Sequence, residues 1–284
     1  LWAKMQGATI KIDNEAERVI VKTYIYDMDE RAILSEIASL RCLDYMNLAS
    51  FLGMTRIKAT ESSRCQTVDT QNMVDKVSAF IFKGDLVSAN VFSRRKMTNM
   101  QLFVPDLVHN LLQGLNFIHR EGLVHMELNL DTVMVERLTG NVKLCQMCKP
   151  REARFPTSLS TVTRTCVCLS PNVLQGHEYE STDDIYAFGL LLWELLFPNQ
   201  LPYREQRVWP LRRFIDECHP TNMLQDDLMK LDVSESVLEV LKGTLLVTRK
   251  TICMPIATHS PSIKCVNISS NSNTGQHVRV TVCW

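Results

Sequence analysis

The sequence predicts an α+β architecture in two unequal parts: a small β-rich part carrying one helix, then a larger, mainly helical part. Three observations predict it. Short β-rich runs recur up to Phe82. Long apolar stripes at helical spacing dominate after residue 100. One strongly apolar segment, 183–197, reads as a buried core helix. With 284 residues, the chain is long enough for two lobes around a cleft.

The elements follow in order. GATIKI (7–12) and RVIVKTY (18–24) are β-rich runs around the polar turn DNEAE (13–17). DERAILSEIASLRCL (29–43) has acids at its start and Ile33, Ile37 and Leu40 at helical spacing. FLGMTRIKA (51–59) and KVSAFIF (76–82) read as strands, with ESSRCQTVDTQN (61–72) as a polar loop between them. MQLFVPDLVHNLLQGLNFIHREG (100–122) is a long amphipathic helix stopped at Gly122. TVMVE and NVKLC form a hairpin through RLTGN, and residues 149–164 read as a loop. After the core helix comes a Pro-punctuated surface stretch, then the amphipathic SESVLEVLKGTLLV (234–247). The tail, 251–284, has low helix propensity, and SSNSNTG (269–275) reads as flexible loop. The sequon at Asn267 is read as a chance match. There is no internal repeat.

Composition excludes some function classes. Thirty-one basic and 31 acidic residues give zero formal charge, hence no global field to draw in nucleic acid or an anionic membrane. The longest apolar run, IYAFGLLLWELLF (185–197), is too short to span a bilayer and contains Glu194. The opening LWAKMQGATIK is not a signal peptide, and its missing initiator Met reads as a piece of a longer protein. The expected location is the cytoplasm. The ten cysteines read mainly as plain thiols in apolar segments, Cys42 and Cys218 included. Cys145, Cys148, Cys166 and Cys168 allow zinc or a redox pair only as minor alternatives, because the C-x-C spacing does not suit a zinc knuckle.

Chemistry enters with VIVK (19–22), LVHMELNLDTVMV (123–135), NVKLCQMC (141–148), SPNVL (170–174) and STDDIYAFGLLLWELLF (181–197). In order and spacing these resemble the motifs of the protein kinase family, over residues 7 to about 250. The resemblance implies a bilobal kinase-like fold: an N-lobe over 1–82, a C-lobe over 83–250, and a non-kinase-like tail over 251–284. It further implies a C-lobe truncated at its end, since TRKTICMPIATH has no counterpart of the family's last helices.

The same resemblance assigns residues. Lys22 stands where the family lysine meets the nucleotide phosphates, and Glu36 where its helix partner stands. Glu127 occupies the position of the catalytic base, one methylene longer than Asp. Met126 replaces the Arg of H-R-D, and Asn129 replaces the Lys two residues after the base. Thr132 and Gln146 occupy the two metal-ligand positions, and neither offers the carboxylate Mg²⁺ prefers. Asn172 replaces the Glu of A-P-E. The Gly-rich phosphate loop is not visible, since only Gly7 precedes Lys22; it lies upstream or has degenerated. Structural positions look kept. Asp184 is expected to hydrogen-bond the backbone of the catalytic loop, and His125, Leu40 and Met147 to stack as a hydrophobic spine.

Retained architecture beside lost metal ligands points to a pseudokinase, a scaffold or allosteric module binding other proteins. No cofactor is assigned with certainty; ATP and Mg²⁺ stay open. The alternative is an active Ser/Thr or Tyr kinase with atypical metal ligands. A further alternative is a C-lobe left unstable by its altered end. Ser158, Ser160, Thr161 and Thr163, in a basic-flanked loop, are candidate phosphorylation sites.

Overall fold

A computed structural model describes residues 3–12, 14–24, 30–58, 76–95, 100–150, 164–197, 201–217, 220–229, 235–245, 265–270 and 278–283. The polar loop at 61–72, the candidate phosphorylation sites and Cys218 lie outside them.

The N-terminal part is a four-stranded antiparallel sheet, β1 (Ala3–Ile12), β2 (Glu15–Tyr24), β3 (Phe51–Lys58) and β4 (Lys76–Lys83), in the order β1-β2-β4-β3. The turn between β1 and β2 is shorter than the sequence suggests. Pairing runs to Ile12 opposite Glu15, so two residues make the turn, and Asn14 takes the left-handed φ of 66° that Asn tolerates. Helix α1 (Glu30–Cys42) buries Ile33, Glu36 and Leu40. Cys42, its last residue, is exposed, which corrects the reading of that thiol as core.

A small sheet joins β5 (Leu86–Ser88), β6 (Met134–Glu136) and β7 (Val142–Lys143). Between β5 and β6 run α2 (Ala89–Arg95) and α3 (Met100–Arg120). Helix α3 ends in a Schellman motif: Leu123 N–H donates to Ile118 O at 2.9 Å and Gly122 N–H to His119 O at 3.1 Å, with Gly122 at φ 69°. The short α4 (Arg164–Cys168) and α5 (Pro171–Leu174) lead into α6 (Ser181–Leu196). Helix α6 is mostly apolar because it is surrounded, with twelve of its sixteen residues buried, Asp183, Asp184 and Glu194 among them.

Two expectations are corrected beyond α6. The Pro-punctuated stretch is not simply surface. It holds α7 (Leu211–Glu217) and α8 (Pro220–Met229), with Tyr203, Phe214, Leu224 and Leu228 buried. Pro210 and Pro220 start helices rather than break them, since a first-turn residue has no N–H to lose. The tail is the other case. After α9 (Glu235–Leu245), β8 (Cys265–Ser270) pairs antiparallel with β9 (Val278–Cys283), beside α3 and α9 respectively. Ser269 and Ser270, read as flexible loop, close β8, while 271–277 lie outside the described residues. Low helix propensity was the right observation. The alternating valines of VRVTVC carry the strand signal.

Helix α6 approaches α9 closely at Gly189, where an added Cβ would sit 2.3 Å from Thr244 Oγ1 and 2.8 Å from its Cβ. Gly189→Ala is therefore expected to cost about 1–3 kcal/mol by overpacking, read as a lower urea midpoint at unchanged m-value. A midpoint equal to that of the unmodified chain would show that the two helices separate freely.

Candidate functional site: a buried lysine beneath a rearranged loop

Strand β2 alternates its side chains, so Ile20, Lys22 and Tyr24 share one face and α1 packs against it. Lys22 has no exposed surface, and its Nζ donates to Glu36 Oε1 at 2.6 Å. The Tyr24 hydroxyl donates to the other oxygen, Glu36 Oε2. The Tyr24 ring centroid lies 4.6 Å from Lys22 Nζ, and that of Phe80 5.8 Å. Burial first, then the Glu36 charge, raises the Tyr24 pKa well above its ordinary value, so the phenol stays protonated and donates.

The loop 125–132 is held from below by Asp184. This carboxylate is fully buried and accepts from His125 N (2.7 Å), Met126 N (3.1 Å), Tyr179 Oη (2.8 Å) and His119 Nε2 (2.8 Å). Two of these bonds fix Met126 at φ 64°, a left-handed conformation unusual for a side-chain-bearing residue. Burial alone would raise the Asp184 pKa. The hydrogen bond and charge of His119, with the His125 contributions, outweigh it and hold the carboxyl below its ordinary value.

Within the loop, polar side chains turn inward. Thr132 Oγ1 donates to Glu127 O at 2.5 Å and accepts from Asn129 N at 3.0 Å. Asn129 Oδ1 accepts from Asp131 N (2.8 Å) and Thr132 N (3.2 Å), and its amide donates to Glu127 O (3.2 Å). Asn129 thus works as the cap of an Asx turn. Gln146, after β7, donates from Nε2 to His125 O at 3.0 Å, and its Oε1 is buried without a hydrogen-bond partner. Glu127 is buried at 3% exposure. His125, Leu40 and Met147 are all buried. Burial pushes His125 down to about 4 and the Cys145 thiol up to about 12, so both are neutral near pH 7.

A cavity of about 540 Å³ opens between the two sheets. Met5, Ala8 and Ile20 line it from above, and Leu86, Val87 and Met134 from below. At its rim Asp85 ties the two parts together, with Arg137 Nε at 2.9 Å and Arg18 at 3.8 Å. Ile20 reaches the cavity; Lys22, two residues on, is not among its lining residues.

The model of the protein kinase domain family matches residues 9–251. The chain belongs to the protein kinase family. Several curated kinases are similar to parts of it. "Probable serine/threonine-protein kinase gdt4" of Dictyostelium discoideum is 22% identical over 223 residues, 76% of this chain and 13% of that protein. Protein kinase C delta type of Mus musculus is 36% identical over 139 residues, 48% of this chain and 20% of that protein. Megakaryocyte-associated tyrosine-protein kinase of Mus musculus is 24% identical over 198 residues, 69% and 35% respectively. The chain thus spans about a third or less of the length of each of these relatives.

Within this kinase domain, the structure brings together Lys22 with Glu36, and Asp184 with the backbone at His125 and Met126. It turns Thr132 and Gln146 onto the loop backbone. Tyr24, His119 and Tyr179 were not anticipated. Period-2 alternation could have flagged Tyr24 beside Lys22, whereas His119 and Tyr179 reach Asp184 through tertiary packing alone. The β1–β2 turn, two residues long, is no phosphate-cradling loop. Cys145, Cys148, Cys166 and Cys168 are buried thiols in no disulfide. Among the described residues, no three His, Cys, Asp or Glu side chains gather as a metal site, and no helix is long and apolar enough to cross a membrane.

Proposed function

We propose that this kinase domain is a pseudokinase: a cytoplasmic signalling module that works through contacts with other proteins and does not transfer phosphate. In this reading residues 1–82 form the N-lobe, 83–250 the C-lobe and 251–284 a tail outside the kinase pattern. The observation that carries it is the fate of Thr132 and Gln146. Thr132 Oγ1 donates to Glu127 O and accepts from Asn129 N, and Gln146 is anchored through Nε2 to His125 O, so the two former metal-ligand positions offer a cation no carboxylate, only a hydroxyl already bonded within the loop and one neutral amide oxygen. Phosphoryl transfer needs a metal that neutralises charge on the phosphates, and a hydroxyl and an amide are poor Mg²⁺ ligands beside carboxylates. ATP can still enter the cavity without a metal, since its lining joins apolar Met5, Ile20 and Val87 to the basic Lys4, Arg18 and Arg137.

The rival reading, an active kinase, is favoured by the formed Lys22–Glu36 pair and by the carboxylate of Glu127 at the base position. Magnesium separates the two. Bound ligand raises the melting temperature by mass action. The pseudokinase is expected to show the same melting temperature in ATP with and without Mg²⁺, and no labelled phosphate on itself or a generic substrate. Phosphoryl transfer that requires Mg²⁺ and disappears in Lys22→Ala would establish the active kinase instead.

A further inference from the structure

We infer that Tyr24 converts the Lys22–Glu36 pair into a permanent latch that withholds the lysine from any ligand in the cleft. The inference deepens the pseudokinase reading, because it names the residue that keeps phosphate away from the lysine. Glu36 has two carboxylate oxygens, and both are used: Lys22 takes one and the Tyr24 hydroxyl the other. The ammonium has donors beyond the one given to Glu36, but with no exposed surface it offers none of them to a phosphate. The Tyr24 ring, packed edge-on against Phe80 at 5.5 Å, covers the ammonium. A desolvated cation over an aromatic face is attracted by the ring quadrupole, which offsets part of the cost of removing the charge from water.

The arrangement has a consequence for ligand class. The cavity walls reach Ile20 and stop short of Lys22. Ligands in the cavity meet apolar Met5, Ile20, Val87 and Met134 together with charged side chains, and a phosphate chain adds nothing through Lys22. A phosphate in the cleft would accordingly meet Lys4, Arg18 or Arg137 of the cavity lining and not Lys22.

Amine acylation tests the latch with no ligand needed. Acetyl N-hydroxysuccinimide is added to the folded chain, and each lysine is followed by mass spectrometry. Lys83, with 57% of its side chain exposed, serves as the internal standard. Lys22 is expected to react at least about tenfold more slowly than Lys83, with protection collapsing in Tyr24→Leu. Tyr24→Phe, which keeps the ring and loses the hydroxyl, is expected to keep Lys22 slow while amide exchange across α1 quickens. This second variant isolates the hydroxyl should Tyr24→Leu lose its cooperative melt. Lys22 reacting as fast as Lys83 in the unmodified chain overturns the latch. So does unchanged α1 exchange in Tyr24→Phe, or unchanged protection in a folded Tyr24→Leu. These outcomes are separate from the pseudokinase reading. Rapid acylation without phosphoryl transfer defeats the latch alone, and slow acylation with Mg²⁺-dependent transfer defeats the pseudokinase reading alone.

Discussion

Asp184→Ala is expected to remove about 3–5 kcal/mol of folding stability, a large share of the roughly 5–15 kcal/mol that holds a typical domain. The carboxylate is the acceptor for two backbone N–H groups, one phenol and one imidazole, all converging where there is no exposed surface. Removing it leaves the N–H groups of His125 and Met126 buried and unpaired, each costing about 1–3 kcal/mol. It also releases the strut that keeps Met126 left-handed. Asp184→Asn is the sharper probe. It preserves shape but points an NH2 at donors, so it too should destabilise, by more than its volume explains. Urea denaturation followed by circular dichroism gives the number. A loss below about 1 kcal/mol for Asp184→Ala would mean that the loop holds itself and that α6 merely passes beneath it.

Acidification is expected to weaken the fold in two windows with different owners. Buried His125 is pushed down to about 4, first by burial and then by the Lys22 and His119 charges, with Asp184 opposing. In the unfolded chain a histidine titrates near about 6.5. Between those values the unfolded state binds the extra proton, so stability rises with pH. The His125 contribution is complete above about pH 6.5 and lost as pH falls towards 4, about 3 kcal/mol in all. Asp184 acts lower. Its folded pKa lies below its ordinary 3.8, so its contribution is present above that value and is lost as pH falls through the folded one. Equilibrium unfolding at a series of pH values should therefore show a slope between 6.5 and 4 that His125→Gln flattens. An unchanged slope in that variant would assign the window to other groups.

Much of the domain was legible because its signals are local and periodic. The stripe of α3, the alternation of β2 and β4 and the long apolar run of α6 each declare an element within a short window. In the candidate site, residue order anticipated two contacts that the structure contains, Lys22 with Glu36 and Asp184 with the loop backbone at His125 and Met126. Short elements such as β5, α2 and α7 were not legible, because three to seven residues hold too little periodicity to stand out. The helical starts at Pro210 and Pro220 lie in the stretch read only as Pro-punctuated surface, since proline marks both a helix beginning and a helix end.

What a substituted residue does in its new place was a different matter. The sequence by itself determined membership of the kinase family and that Thr132 and Gln146 are poor Mg²⁺ ligands, because side-chain chemistry travels with the residue. Only the tertiary structure decided where those side chains turn. Thr132 and Asn129 bond the loop that carries them, Gln146 reaches back 21 residues to His125 O, and Tyr24 closes over Lys22. The physical reason is that a buried polar group takes whichever partner lies within about 3 Å. That partner is set by packing between elements distant in the chain.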